Sequence, residues 1–181
     1  MRCGGKFIAA AAAALALAGC GAGAEDAGGA DAEALRAAEF FLTSNARAEG
    51  VVSLPSGLQY RVVESGPNSG PQPDRNDLVR VHYEGALTDG QVFDSSFTRG
   101  TPFVTTPEGE PAGNIIPAWT EALQLMRPGD EWIVYAPPSM GYGERGAPPV
   151  IPGNAVLVFR IQMLDVARIP GGDRGVDVGM G

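Results

Sequence analysis

From residue 51 onward, apolar and polar positions alternate in short bursts. Residues 58–63, 78–83 and 131–136 repeat with period 2, the spacing of strands with one face in a core. Residues 155–166 are longer, with Val156, Val158, Arg160 and Gln162 on one face and Leu157, Phe159, Ile161 and Met163 on the other. Between Tyr83 and Phe93 lies Asp89-Gly90, a hairpin signal because glycine takes a positive φ at no steric cost. One segment breaks the alternation. Across 117–126, Trp119, Ala122, Leu123 and Met126 fall at i, i+3, i+4 and i+7, one apolar helix face. Pro117 suits a first helical turn, and Pro128-Gly129 ends the helix. A single short amphipathic helix among antiparallel strands buries its face against one side of a sheet. The pattern predicts an α+β fold.

Upstream, residues 32–49 are strong helix formers with Leu35, Ala38, Phe41 or Leu42, and Ala46 on a narrow stripe. Asp31 is the candidate N-cap and Gly50 the stop. Two readings compete: the stripe packs on the domain behind it, or Phe40, Phe41 and Leu42 form a dimer contact. The first is favoured, since so short a stripe offers little against the ~1,000 Å² of a specific interface. Residues 20–31 read as a flexible Gly/Ala/acidic tether. The stretch 137–153 holds five Pro and four Gly; such long connections are functional or disordered. Residues 168–181 read as a disordered tail.

The beginning of the chain is an address. Arg2 and Lys6 precede an apolar run over 7–16, followed by Leu17-Ala-Gly-Cys20. This is the layout of an export signal over 1–19, too short for the roughly 20 residues of a spanning helix. Leu-Ala-Gly-Cys resembles the lipobox of bacterial lipoproteins. The resemblance implies cleavage before Cys20, lipid attachment there, and an exported, lipid-anchored protein of the bacterial envelope. Ordinary cleavage after Ala18 is the competing reading, as Ala16-Leu17-Ala18 also fits a signal-peptidase site. Loss of the signal removes Arg2 and Lys6, the latter the chain's one lysine.

Composition narrows the chemistry. With 26 Gly and 15 Pro in 181 residues, but 44% hydrophobic residues, the chain has one real core plus loop-rich parts. Two Cys and one His make neither a zinc cluster nor a disulfide framework, so no metal and no cofactor is expected. A net charge of −8 with scattered cations argues against nucleic acid as a partner. No nucleophile elbow, Walker A loop, H-E-x-x-H or C-x-x-C occurs. His82 sits between Val81 and Tyr83 in a strand, where a hydrogen-bonded structural role fits best.

What remains is aromatic and apolar. Val81-His-Tyr-Glu-Gly85, Val92-Phe-Asp-Ser-Ser96, Arg99-Gly-Thr-Pro-Phe103, Ile115-Ile-Pro-Ala-Trp119, Gly141-Tyr-Gly-Glu-Arg-Gly146, Val150-Ile-Pro152 and Leu157-Val-Phe159 occur in that order. Together they resemble FKBP-type peptidyl-prolyl cis/trans isomerases over residues 56–166. The lead-in over 49–60 resembles the macrophage-infectivity-potentiator branch. That branch's long N-terminal dimerisation region is absent, and the helix at 32–49 stands in its place. The resemblance implies a five- to six-stranded antiparallel half-barrel wrapped around the short helix, within a domain spanning 51–167. Its pocket falls on Tyr83, Phe93, Asp94, Phe103, Ile115, Ile116, Trp119, Tyr142, Val150, Ile151 and Phe159, with Trp119 as floor and Arg99 paired to Asp94. Tyr83, Phe93, Asp94 and Tyr142 are the implied catalytic residues, and the rest bind substrate.

The implied activity suits that inventory. A peptide C–N bond resists rotation by about 18–20 kcal/mol because of its partial double-bond character. The planar amide is charge-separated and well hydrated, whereas the twisted form is less polar. An apolar pocket therefore favours the twisted state, with no proton transfer or covalent step. The resemblance further implies that the Ile116 N–H and Tyr142 hydroxyl donate to substrate carbonyls. It leaves two roles for Asp94: contact with the twisted carbonyl's surroundings, or fixation of Tyr83 and Arg99. Implied partners are proline-containing polypeptides and the family's macrolide inhibitors. A chaperone or peptide-binding module using the same cleft with little turnover is the alternative. The chain departs from the family pattern at Ala118, where glycine is usual, in a longer connection over 105–114, and at Ala147 on the rim.

Overall fold

In a computed structural model of the chain, residues 25–67, 69–109 and 115–170 are described. Cys20 and the leader lie outside them, as do the tail beyond 170 and part of the 105–114 connection. Helix α1 (Glu25–Asn45) precedes seven strands: β1 (Val51–Ser53), β2 (Gln59–Glu64), β3 (Leu78–Leu87), β4 (Val92–Ser95), β5 (Phe103–Thr105), β6 (Glu131–Ala136) and β7 (Leu157–Ala167). The short α2 (Ser96–Arg99) follows β4, and α3 (Pro117–Leu125) separates β5 from β6.

The strands form one antiparallel sheet in the order β1-β2-β6-β7-β3-β4, with β5 also on β3. Among the described residues the sheet has seven strands where the resemblance implies five or six, and two of them, β1 and β5, are only three residues long. β7 takes the whole of one edge of β3, from Leu78 to Leu87. β5 takes Val79–Val81 of the other edge and β4 takes Glu84–Ala86. His82 and Tyr83 are left between these two partners.

The predicted alternation is realised in β7, where Leu157, Phe159, Ile161 and Met163 are buried. They join Val79, Val81 and Val134 in a core closed by Ala118, Trp119, Ala122 and Leu123 of α3. Pro117 occupies the first turn of α3, where its missing N–H costs no helical hydrogen bond. The Asp89-Gly90 turn connects β3 to β4. Gly90 has φ +88°, the Leu87 N–H donates to Gln91 O at 2.9 Å, and the Gln91 N–H donates to Asp89 Oδ1 at 2.9 Å.

Helix α1 begins at Glu25, inside the stretch read as tether, and ends at Asn45. It lies on the domain through Ala38, which is buried, and Phe41, whose ring is 6.1 Å from that of Tyr135. Two hydrogen bonds of 2.9 Å secure it: Asn45 Nδ2 donates to Gln59 Oε1, and Gln59 Nε2 donates to Leu42 O. The stripe therefore packs on the domain at its middle, through Ala38, Phe41 and Leu42, while Leu35 and Ala46 at its ends are exposed and Phe40 on another face is 75% exposed.

The 137–153 stretch is ordered by two 3₁₀ turns, Pro138–Met140 and Gly143–Arg145, and by an Ala147–Ile151 bridge. Glycine is required at 146: φ is +60°, and a Cβ would lie 2.4 Å from Ile151 O. At the other end of the domain the Ile169 N–H donates to buried Asp77 Oδ1 at 2.9 Å, tying down the chain that follows β7. Among the described residues, no helix is long and apolar enough to cross a membrane.

Candidate active site

A cavity of about 360 Å³ opens between α3 and the sheet. Its lining brings together nine of the residues singled out in the sequence: Tyr83, Phe93, Asp94, Phe103, Ile115, Ile116, Trp119, Tyr142 and Phe159. They come from β3, β4, β5, the entry to α3, the 137–153 loop and β7.

The wall is a cluster of rings meeting edge to face. Trp119 is its centre, with ring centroids 4.9 Å from Tyr83 at 88°, 5.9 Å from Phe103 at 81°, and 5.6 Å from Phe159 at 87°. Phe103 also meets Tyr83 at 5.7 Å, and Phe93 meets Phe159 at 5.7 Å and 84°. Such pairs prefer these angles because the electron-poor ring edge faces an electron-rich ring face. Trp119 and Phe159 are buried, so the arrangement is stiff. Phe103, which precedes the lengthened connection, is held by both Tyr83 and Trp119. Ala118 is fully buried in the core and absent from the lining, so its methyl group does not narrow the cavity.

One wall is polar. The Tyr83 hydroxyl donates to Asp94 Oδ2, and Arg99 Nη1 pairs with Asp94 Oδ1. Arg99 Nη2 also donates to the Tyr83 hydroxyl at 3.0 Å, and its guanidinium carbon lies 5.5 Å from the Tyr83 ring centroid. Arg99 reaches this position from the end of α2, outside the cavity lining. Burial raises the Tyr83 phenol above its ordinary value of 10.0, and the hydrogen bond to Asp94 adds to the rise while that from Arg99 opposes it. Hydrogen bonds to Tyr83 and then Asp94 raise the Arg99 guanidinium further above its usual range. Asp94 caps no turn; Ser95 does so, accepting from the Thr98 N–H at 3.3 Å.

His82 is occupied structurally. Its Nδ1 is 3.0 Å from Ser96 Oγ, and its ring stacks on Phe97 at 4.8 Å. Tyr142 stands at the cavity with 44% of its surface exposed.

Two expected pocket residues do not line the cavity. Ile151 is pulled into the core by its bridge to Ala147, and Val150 beside it is 41% exposed. Ala147 is also absent from the lining. Conversely, Pro117 and Gly141 line the cavity without having been named as pocket residues. Each adjoins a named residue, Ile116 or Tyr142. Adjacency was the available signal, but neither carries a polar or aromatic group to draw notice.

Comparison with known proteins agrees with this geometry. A family model described as FKBP-type peptidyl-prolyl cis-trans isomerase matches residues 70–164, and one for the domain amino-terminal to such isomerases matches 10–62. The chain is 44% identical over 128 residues to the peptidyl-prolyl cis-trans isomerase Mip of Coxiella burnetii, covering 71% of this chain and 53% of the relative. It is 47% identical over 126 residues to the FKBP-type 22 kDa peptidyl-prolyl cis-trans isomerase of Escherichia coli, covering 70% and 58%. The chain thus spans about half the length of the curated relatives it matches.

Among solved structures, FkpA from Escherichia coli superposes with a TM-score of 0.71 at 36% identity, over 80% of this chain and 64% of that one. A peptidyl-prolyl cis-trans isomerase from Pseudomonas syringae superposes with a TM-score of 0.68 at 33% identity, over 76% of this chain and 96% of that one. The ring-walled cavity under an antiparallel sheet and the ordered run of motifs have one common source: the chain belongs to the family of FKBP-type peptidyl-prolyl cis-trans isomerases.

Proposed function

We propose that this chain accelerates rotation about X-Pro bonds in polypeptides outside the cytoplasm, holding the twisted amide in the aromatic cavity. The observation that supports this reading is the cavity's division of labour. Five rings and two isoleucines make an apolar seat, while Asp94 and Tyr142 bring polar groups to it. A proline ring entering the seat exchanges water for ring faces. The planar amide loses hydration that the twisted amide needs less, so burial lowers the barrier. Each 1.36 kcal/mol of that difference is tenfold in rate.

In this reading Tyr83, Phe93, Asp94 and Tyr142 touch the reacting segment. Phe103, Ile115, Ile116, Trp119 and Phe159 hold the proline and its neighbours, and Arg99 fixes Asp94. Macrolide ligands of the family take the same seat and compete with peptide. The test is relaxation of a short X-Pro-Phe peptide from its cis-enriched state with the purified full chain. The uncatalysed step takes tens to hundreds of seconds, and added protein shortens it in proportion to its concentration. A rate equal to buffer, with the peptide still bound, would replace the isomerase by a peptide-holding module.

We further propose that residues 1–19 direct export and that Cys20 carries the lipid that holds the protein at the envelope. Leu17-Ala-Gly-Cys20 supports this. So does a relative from Legionella longbeachae, 41% identical over 128 residues and named outer membrane protein MIP. Palmitate labelling of the expressed chain should disappear in Cys20→Ser; labelling that persists places the anchor elsewhere.

A further inference from the structure

The polar wall of the cavity depends on a residue that never reaches it. β7 pairs with β3 throughout, but on the opposite edge β3 has no strand partner at His82 and Tyr83, between the stretches taken by β5 and β4. In the β3–β4 register Glu84 faces Ser95 and Gly85 faces Asp94, so the next rung would pair Tyr83 with Ser96. The chain turns into α2 there instead, and a side chain replaces the missing backbone. The Tyr83 N–H donates to Ser96 Oγ at 2.7 Å, and Ser96 Oγ lies 3.2 Å from Tyr83 O as donor. His82 Nδ1 is the third group on the same hydroxyl, at 3.0 Å. A hydroxyl has one proton and two lone pairs. All three contacts are satisfied together when Ser96 donates to the Tyr83 carbonyl and accepts from the Tyr83 N–H and an Nδ1–H of His82. Ser96 is fully buried, so water cannot substitute.

The consequence lies in the order of residues. Asp94 and Arg99, the two partners of the Tyr83 hydroxyl, flank Ser96 in sequence. The segment is thus fastened to Tyr83 twice, at its backbone through Ser96 and at its side chain through Asp94 and Arg99. We propose that Ser96 is the positioning residue for the polar wall, setting Asp94 and Arg99 against the Tyr83 hydroxyl by standing in for a strand partner of Tyr83. This deepens the isomerase reading and rests on it for its kinetic consequence, though not for its structural one.

A double-mutant cycle tests it in the full chain. Ser96→Ala should lower kcat/KM by about tenfold, the order expected for one buried hydrogen bond, chiefly in kcat. In an Asp94→Ala background the same substitution should add less than about twofold, because its effect runs through Asp94. An equal loss in both backgrounds would show Ser96 to be merely structural and would overturn the proposal, as would wild-type kinetics in Ser96→Ala. Amide hydrogen exchange supplies the activity-free arm: the Tyr83 amide should exchange at least about tenfold faster in Ser96→Ala, with the Val134 and Ile161 amides unchanged. Unchanged exchange at Tyr83 also overturns the proposal. Faster Tyr83 exchange in a chain whose wild type shows no isomerase activity would uphold the tether and reject the isomerase reading.

Discussion

Gly85 offers a sharp perturbation of the cavity, because the cost of filling it can be read from distances. It lies on β3 facing Asp94 on one side and Phe159 on the other. A Cβ added there would stand 2.6 Å from Phe93 Cε2, 2.7 Å from Phe93 Cζ and 2.8 Å from Phe159 Cε1. Ordinary contact begins at about 3.4 Å, so each ring must withdraw by roughly half an ångström or more. Phe159 cannot withdraw freely, since Trp119 backs it at 5.6 Å. Phe93 has more room and must break its 5.7 Å edge contact with Phe159. Overpacking of this kind costs about 1–3 kcal/mol, and the lost ring pair about 0.5–1.5 kcal/mol within that range. If about 1.4 kcal/mol falls on the twisted amide, Gly85→Ala lowers kcat/KM about tenfold. Each kcal/mol of stability lost lowers the melting temperature by about 2–4 °C in a chain of this size. The assays are peptide relaxation and thermal unfolding. Gly29→Ala is the control: a Cβ there meets nothing within 4 Å, so activity should hold and α1 should gain up to ~1 kcal/mol. Wild-type activity and melting temperature in Gly85→Ala would refute the claim that the ring positions are set by the missing side chain.

Other outcomes follow from the polar wall. Asp94→Ala should cut kcat/KM by tenfold or more while stability falls by no more than about 1 kcal/mol in urea denaturation, because the Asp94–Arg99 pair is partly exposed. A loss of several kcal/mol would make Asp94 chiefly structural. Tyr83 has a phenol raised in the folded state, so folding favours its neutral form. Its contribution to stability is whole below pH 10.0 and is lost as pH rises through the higher folded value. Stability should therefore decline more steeply above pH 10 in the wild type than in Tyr83→Phe, measured by denaturant midpoints across pH. Parallel declines would count against the buried phenol.

The parts of the fold legible in the sequence were those governed by local pattern. The β7 alternation, the Asp89-Gly90 turn and the α3 face with Pro117 at its start each depend on neighbours a few residues away. β1 and β5 escaped because three residues carry no period. α1 extended into 25–31 past Gly28 and Gly29, residues that read as breakers without ending the helix. Most pocket residues were legible through the ordered motifs and the family resemblance, because each motif carries its own ring or acid. Ile151 and Val150 did not line the cavity, since the Ala147–Ile151 bridge decides which of them faces the core. The roles of Gly85 and Ser96 were not legible, because they arise from register between segments distant in the chain.

The proposed activity rests on the Tyr83–Trp119–Phe159 cavity, with Asp94 and Tyr142 as its polar groups, lowering the barrier to X-Pro rotation. The direct measurement compares cis/trans relaxation of one X-Pro-Phe peptide with the wild-type chain and with Asp94→Ala combined with Tyr142→Phe. Protein-dependent acceleration is expected in the wild type, with its loss by at least about tenfold in the double variant. Acceleration undiminished by the double variant would move the active site elsewhere, and no acceleration by the wild type would contradict the isomerase reading altogether.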